Sequence, residues 1–380
     1  MNEKKKHILL YLGKFPGYGA DIDGGSILAR QLIDSLKEKS ILDVVFIRKN
    51  KEIFKDIYVN QVRYVEYKDA KNNKFIRRLE NLDTNRKAIA DYHKYDLIIT
   101  AHISKFFGFE NEPDSFWNKT ILFPMFCSPS YRKAGEFVPI EYTQQERFVF
   151  KKVNRIVVPS FSDKLDIVSY YNVPEDKISI IHRGIDPLFQ SCKKEKCSDI
   201  LQIVCIGSIK KQKNNIDAIN VLQKIRDVGV NAVLHFVCTI QDIDLYAHLQ
   251  QFIVDKDLSD MVHFHYGLSQ EEVSNLLQTM DINISVSNWE TFGRGIFEGI
   301  ASGLPTFIYS RLKSVHEIIE ENEGVYFAKD SDDMANAIVS VYNNQQLYSK
   351  MAKSLVTLAD VISYKRERAL LQKAILLSEN

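Results

Sequence analysis

Residues 287–305 read Ser287-Asn-Trp-Glu-Thr-Phe-Gly-Arg-Gly-Ile-Phe-Glu-Gly-Ile-Ala-Ser-Gly-Leu-Pro305. Just upstream, the alternation of Ile282, Ile284 and Val286 predicts a strand. Thr291, Phe292 and Gly293 then permit a tight turn into a helix running to about Ser302. Two carboxylates, Glu290 and Glu298, with seven residues between them, therefore stand one before the helix and one inside it. A helix start offers free N–H groups and the positive end of a dipole, which suit a phosphate. Glu298, one to two turns along, can accept hydrogen bonds from sugar hydroxyls. Phosphate plus polyol describes a sugar nucleotide.

Outward from this stretch, short apolar runs alternate with segments of helical period, the pattern of βαβ units and parallel sheets. In the first half strands are expected at 7–12, 43–47, 62–66, 96–101, 120–124, 155–158 and 178–182, with helices near 25–38, 75–92, 140–152 and 161–171. In the second half strands are expected at 201–206, 232–238, 261–265, 281–286, 305–309 and 324–327, with helices between them. The fold class is therefore α/β, with two Rossmann-like doubly wound domains: residues 1–185, a linker at 186–198, and residues 199–358, followed by a terminal helical segment at 359–380. Ligands of such sheets bind beyond the carboxyl ends of the strands, so two facing sheets imply a cleft site.

A chain of 380 residues exceeds one ordinary core, and 45% apolar with 26% charged residues describes an ordinary soluble protein. Five cysteines without metal-ligand spacing point to reduced thiols and a cytoplasmic setting, with Cys192 and Cys197 expected as solvated free thiols beside a Lys-rich segment. The start passes directly into Ile8-Leu9-Leu10-Tyr11-Leu12, too short for a signal core or a membrane span. The net charge of +1 hides an asymmetry. Residues 1–185 hold 31 Lys and Arg against 24 Asp and Glu, a net of +7, and the remainder holds 19 against 25, a net of −6. The two halves either attract one another or offer a basic face to an anionic acceptor or the inner face of a membrane. Nucleic acid is disfavoured, because no zinc-finger, helix-turn-helix or RNP-like pattern accompanies the charge.

Gly24 and Gly25 follow the first strand through a glycine-rich loop and precede Ser26 at a helix start, where missing side chains let backbone amides approach a phosphate. The dinucleotide fingerprint is not met, since Ile22 stands where its third glycine belongs, which disfavours a nicotinamide dehydrogenase. Asp21-Ile-Asp23 is formally a D-x-D triplet and reads as loop polarity. His263 and His265 alternate along one strand, and no third ligand at useful spacing accompanies them.

The pattern Ser287-x-x-Glu290-x-Phe292-Gly293, then Glu298, then Ala301-x-Gly303-x-Pro305, resembles the E-x7-E signature of the retaining glycosyltransferases of family 4, which have the GT-B fold of two facing Rossmann-like domains. Gly24-Gly25, Val173-Pro-Glu-Asp-Lys-Ile178, Gly184-Ile-Asp186 with Phe189, Gly207 with Lys213, and Glu317-Ile-Ile319 fall in the order this family shows. The resemblance implies a metal-independent enzyme without a cofactor. Its substrates would be a nucleotide sugar, most simply a UDP-hexose, and a carbohydrate, lipid-linked or protein acceptor.

It further implies that Glu298 binds the ribose, and that Lys213 and the amides of Thr291, Phe292, Gly293 and Arg294 hold the diphosphate. Glu290 would orient the transferred sugar, Gly24 and Gly25 contact phosphate, and Tyr266 lie near the base. Two positions depart from the family pattern. Ser208 stands where the family has a diphosphate arginine, leaving Lys210, Lys211 or Arg294 as replacements. The segment Phe123-Pro-Met-Phe-Cys-Ser128 stands where the family commonly has a histidine, leaving His102 as a cleft candidate and the segment itself as an apolar wall. These departures keep a second reading in view, a degenerate glycosyltransferase-like scaffold subunit that binds but does not turn over.

Overall fold

The computed structural model describes residues 5–12, 24–48, 61–66, 85–87, 89–101, 103–106, 108–125, 127–133, 135, 137–191, 195–319, 322–358 and 360–376. The chain divides into two compact units, the first running to Ile181 and taking in the chain again from Arg368, the second holding His182–Glu367.

The first unit is built on a seven-stranded parallel sheet of order β3-β2-β1-β4-β5-β6-β7. Its strands are β1 His7–Leu12, β2 Ile41–Arg48, β3 Gln61–Glu66, β4 Leu97–Thr100, β5 Thr120–Leu122, β6 Arg155–Val158 and β7 Ile178–Ile180. Central β1 is apolar on both faces because both are covered, the usual composition of a buried parallel strand. Ile8, Leu10 and Leu12 pack with Leu28, Leu32 and Leu36 of helix α1 (Gly24–Leu36), whereas Leu9 and Tyr11 share a core with Phe106, Phe116 and Trp117. Helices α2 (Ile140–Lys152) and α3 (Phe161–Tyr171) have the predicted bounds. The Ser160 side chain caps α3 by accepting from the Asp163 amide, and left-handed Asn172 ends it. The helix expected over 75–92 falls largely outside the described residues, of which Asn85–Lys87 are helical. Phe123 and Cys127 are buried in this unit's core, so the expected apolar wall is, at these two positions, core packing.

The second unit is a six-stranded parallel sheet of order β10-β9-β8-β11-β12-β13. Its strands are β8 Leu201–Ile206, β9 Ala232–Cys238, β10 Val262–Tyr266, β11 Ile282–Ser285, β12 Thr306–Tyr309 and β13 Val325–Ala328. The helices are α4 Asn215–Asp227, α5 Ile243–Asp255, α6 Gln270–Leu277, α7 Arg294–Ala301, α8 Lys313–Ile319, α9 Ser331–Tyr342, α10 Gln345–Ser354 and α11 Tyr364–Leu376. The strand order reverses between β8 and β11, and the crevice beyond the carboxyl ends of those two strands is where such sheets take ligands.

Residues 186–191, within the segment expected as a linker, pack on the second unit, and one expectation needs correction here. Phe189 is buried in the second unit's core, and Ser274 and Gln278 of the α6 region donate to the Leu188 and Gln190 carbonyls. Cys197 is not a solvated thiol: it lies in the core with Leu201 and Tyr348, its amide donating to Gln345. Helix α11 is divided at Glu367, with Leu371 and Ile375 in the first unit's core.

Candidate nucleotide-sugar site

The site begins where helix α7 meets the sheet. Gly293 adopts φ 81°, a left-handed conformation that glycine takes without steric cost, and this turns the chain from the loop after β11 into α7. The helix then lies directly on the strands. A Cβ at Gly295 would stand 2.7 Å from the Ile206 carbonyl oxygen, and one at Gly299 would stand 2.3 Å from Asn283 Nδ2. Buried Asn283 uses that close approach, donating to the Ile296 carbonyl at 3.2 Å and to Thr306 Oγ1 at 3.3 Å. The first turn of α7 is thereby fixed against the ends of β8 and β11.

Lys213 reaches the same place from the other side of the strand-order reversal. A short 3-10 turn, Lys211–Lys213, follows β8, and its Lys213 Nζ lies 2.5 Å from Glu290 Oε1. Both side chains are largely buried, 19% and 8% exposed, so this pair is screened far less than a surface one. Ser287 Oγ donates to the same Glu290 oxygen at 2.7 Å, and Ser314 Oγ donates to the Glu290 carbonyl at 2.6 Å. Gln212 adds a third tie, its side chain donating to the Trp289 carbonyl and its own carbonyl accepting from the Asn288 amide. The loop bearing Glu290 is thus held by β8-side residues and by α8.

Ser208, at the position of the family's arginine, forms a hydroxyl pair with Thr239 at 3.0 Å across the ends of β8 and β9. Tyr266 closes β10; its hydroxyl meets that of Tyr246 at 2.6 Å, and burial together with this bond raises its pKa. Glu298 is buried, 7% exposed, and burial raises its pKa while the guanidinium of Arg294 draws it back down. Arg294 Nη1 donates to the Gly184 carbonyl at 3.3 Å, and its charge faces Glu298, Glu367 and Asp186, which oppose the lowering that loss of water imposes on it.

Of the residues singled out in the sequence, Lys213, Glu290, Thr291, Phe292, Gly293, Arg294 and Glu298 come together around one helix start, with Phe292 buried and stacked on Phe297. Gly24 and Gly25 form the first residues of α1 in the other unit, while His102, Asp21 and Asp23 lie outside the described residues. Ser314, Gln212 and Thr239 escape the sequence reading, whereas Ser287, a fixed position of the quoted pattern three residues before Glu290, is named there without a role. The histidines of β10 do acquire a neighbour, His235 on β9, whose Nδ1 lies 3.0 Å from His265 Nε2 and whose Nε2 lies 2.9 Å from Gln202 Oε1. Among the described residues no group of three His, Cys, Asp or Glu is arranged to hold a metal ion.

Residues 190–355 match the family described as Glycosyl transferases group 1. The chain is 27% identical over 202 residues to the O-antigen chain mannosyltransferase RfbU of Salmonella typhimurium, covering 52% of this chain and 54% of that protein. It is 23% identical over 180 residues to the MMP alpha-(1->4)-mannosyltransferase of Mycolicibacterium hassiacum, covering 47% and 42%. The chain thus spans about half the length of the curated relatives it matches. Among solved structures, Anabaena HepE in complex with UDP and glucose superposes with a TM-score of 0.79 at 14% identity, over 98% of this chain and 100% of that one. The lipopolysaccharide glycosyltransferase WaaG superposes with a TM-score of 0.74 at 13% identity, over 98% and 100%. The fold is GT-B.

Proposed function

Because residues 190–355 carry a glycosyl transferases group 1 domain within a GT-B fold, we propose that the protein is a retaining glycosyltransferase that moves a hexose from a UDP-sugar to a glycan, glycolipid or protein acceptor. The observation that carries this is the Lys213–Glu290 pair at the strand-order reversal, beside the first turn of α7. Lys213 and the α7 amides would neutralise the diphosphate, Glu290 would orient the sugar, and Glu298 would hold the ribose. The relatives named as mannosyltransferases favour a hexose, and the UDP complex of HepE favours that nucleotide.

In the proposed reaction the bond from the anomeric carbon to the diphosphate oxygen breaks with its electron pair leaving on UDP. The acceptor hydroxyl attacks from the same face, and its proton passes to the departing phosphate. The residues named above supply charge and position, and no enzymic nucleophile is required. Lys213 provides the cation that a metal provides elsewhere, so we propose metal independence, and we keep a cytoplasmic setting with acceptor or membrane contact through the basic first half. No helix among the described residues is long and apolar enough to cross a membrane.

The second reading, a scaffold that binds nucleotide without turnover, draws on Ser208, whose hydroxyl bonds Thr239 where the family has a cation. Binding of UDP measured by calorimetry, alongside release of UDP from a panel of nucleotide sugars, separates the two. Binding with release supports the enzyme, and binding without release with any donor supports the scaffold.

A further inference from the structure

Glu298 is a buried carboxylate of the site, and its surroundings explain how it can serve there. It lies in α7 four residues after Arg294, so the two side chains occupy neighbouring positions on one helix face. Arg294 is itself tethered from outside the helix. Its Nη1 donates to the Gly184 carbonyl at 3.3 Å, and the Gly184 amide donates to Glu367 Oε2 at 2.9 Å. Glu367 is 1% exposed, and Arg183 Nη1 stands 3.5 Å from its other oxygen. Gly184 cannot accept a larger residue without displacing its neighbours, because a Cβ there would lie 2.5 Å from Tyr364 Cα. Among the described residues, Asp186 faces both Glu298 and Arg294, Glu367 of α11 faces Arg294, and Arg183 faces Glu367.

We infer that Arg294 is a positioning residue for Glu298, anchored by the Gly184 carbonyl and faced by the charge of Glu367, and that this relay keeps the nucleotide-binding carboxylate charged and aimed. The inference rests on the reading of Glu298 as the ribose ligand, and it assigns Arg294 away from the diphosphate. The physical need is plain. A carboxylate removed from water tends to protonate unless a cation stands by, and Asp186 adds repulsion in the same direction. A protonated Glu298 loses the charge-assisted bonds to ribose hydroxyls. Arg294 supplies the cation, and a side chain tied to the Gly184 carbonyl supplies it in one place.

The test uses the whole protein and compares UDP with uridine, which lacks phosphate. Affinities are measured for the parent, Arg294→Gln, Arg294→Lys and Glu298→Gln between about pH 6 and pH 9, since a carboxyl raised by burial loses its charge as pH falls. The parent should bind UDP with little pH dependence. Arg294→Gln should bind about tenfold more weakly at the acid end, because the buried Glu298, with its cation removed, takes up a proton there. It should recover as pH rises, because the unpaired Glu298 then ionises. Uridine affinity should fall in parallel, and Arg294→Lys, which keeps the charge, should restore most of both even where the glutamine variant folds poorly.

A loss for UDP that is equal at every pH with uridine untouched would place Arg294 on the diphosphate and overturn the relay. Parent-like binding by Arg294→Gln at every pH would overturn it as well. Parent-like binding of UDP by Glu298→Gln would instead remove the ribose assignment on which the relay stands.

Discussion

Lys213 Nζ lies 2.5 Å from Glu290 Oε1, so the cation assigned to the diphosphate and the carboxylate assigned to the sugar are paired with each other. The two residues approach from strands β8 and β11, on either side of the point where the strand order reverses. With Ser287 on the same oxygen, the pair fixes the loop between β11 and α7 at the crevice where ligands of this sheet type bind.

Lys213→Ala should lower turnover of a UDP-hexose by roughly two to three orders of magnitude, the cost of one lost preorganised donor to developing charge. Ser287→Ala should cost far less, since Lys213 still orients Glu290. Initial rates of UDP release by the two variants check the ranking, and equal losses would take Lys213 out of the charge-stabilising role.

Glu298→Ala should weaken UDP binding by about 1.5–3 kcal/mol, the value of hydrogen bonds to a charged group. Calorimetry reads this directly, and an unchanged dissociation constant would remove Glu298 from the nucleotide site.

Gly299→Ala should destabilise the second unit by about 1–3 kcal/mol, because its Cβ would meet Asn283 Nδ2 at 2.3 Å in a packed core. Gly229→Ala, where a Cβ meets nothing within 4 Å but φ is +85°, should cost about 1 kcal/mol through backbone strain alone. Denaturant unfolding that ranked the two in reverse would contradict the packing of α7 on β11.

Burial and the neighbouring His265 and His263 push the pKa of His235 down to about 4. In the unfolded chain the group titrates near its ordinary 6.5. Below 6.5 the unfolded state takes up a proton that the folded state refuses, so stability falls as pH drops from about 6.5 to 4 and is unaffected by this group above that window. Thermal unfolding of the parent and of His235→Gln across the window should show the decline lessened in the variant.

The architecture was legible because a doubly wound fold writes each strand as a short apolar run. The predicted runs at 201–206 and 232–238 coincide with β8 and β9, and 140–152 and 161–171 with α2 and α3. The Glu290 and Glu298 spacing was legible because both lie on one continuous strand, turn and helix. What the sequence hid were partners brought in by the tertiary fold. Ser314 reaches Glu290 from α8, Thr239 reaches Ser208 from the end of β9, and His235 joins His265 across the β9–β10 pairing. Arg294 gains a partner of the same kind: its position at a helix start points to a phosphate, and the carbonyl of Gly184, distant in sequence, accepts a hydrogen bond from its guanidinium. Cys197 looked solvated beside a charged run, yet its amide is bound by Gln345 and its side chain is in the core.

The central claim is transfer of a hexose from UDP with retention, using Lys213 in place of a metal. Proton NMR of the products formed from UDP-α-hexoses, with and without EDTA and in parallel with Lys213→Ala, addresses it most directly. The account predicts release of UDP, an α-configured product, no loss on chelation, and near-silence from the Lys213 variant. A β-configured product, or activity abolished by EDTA and restored by Mn²⁺, would contradict it.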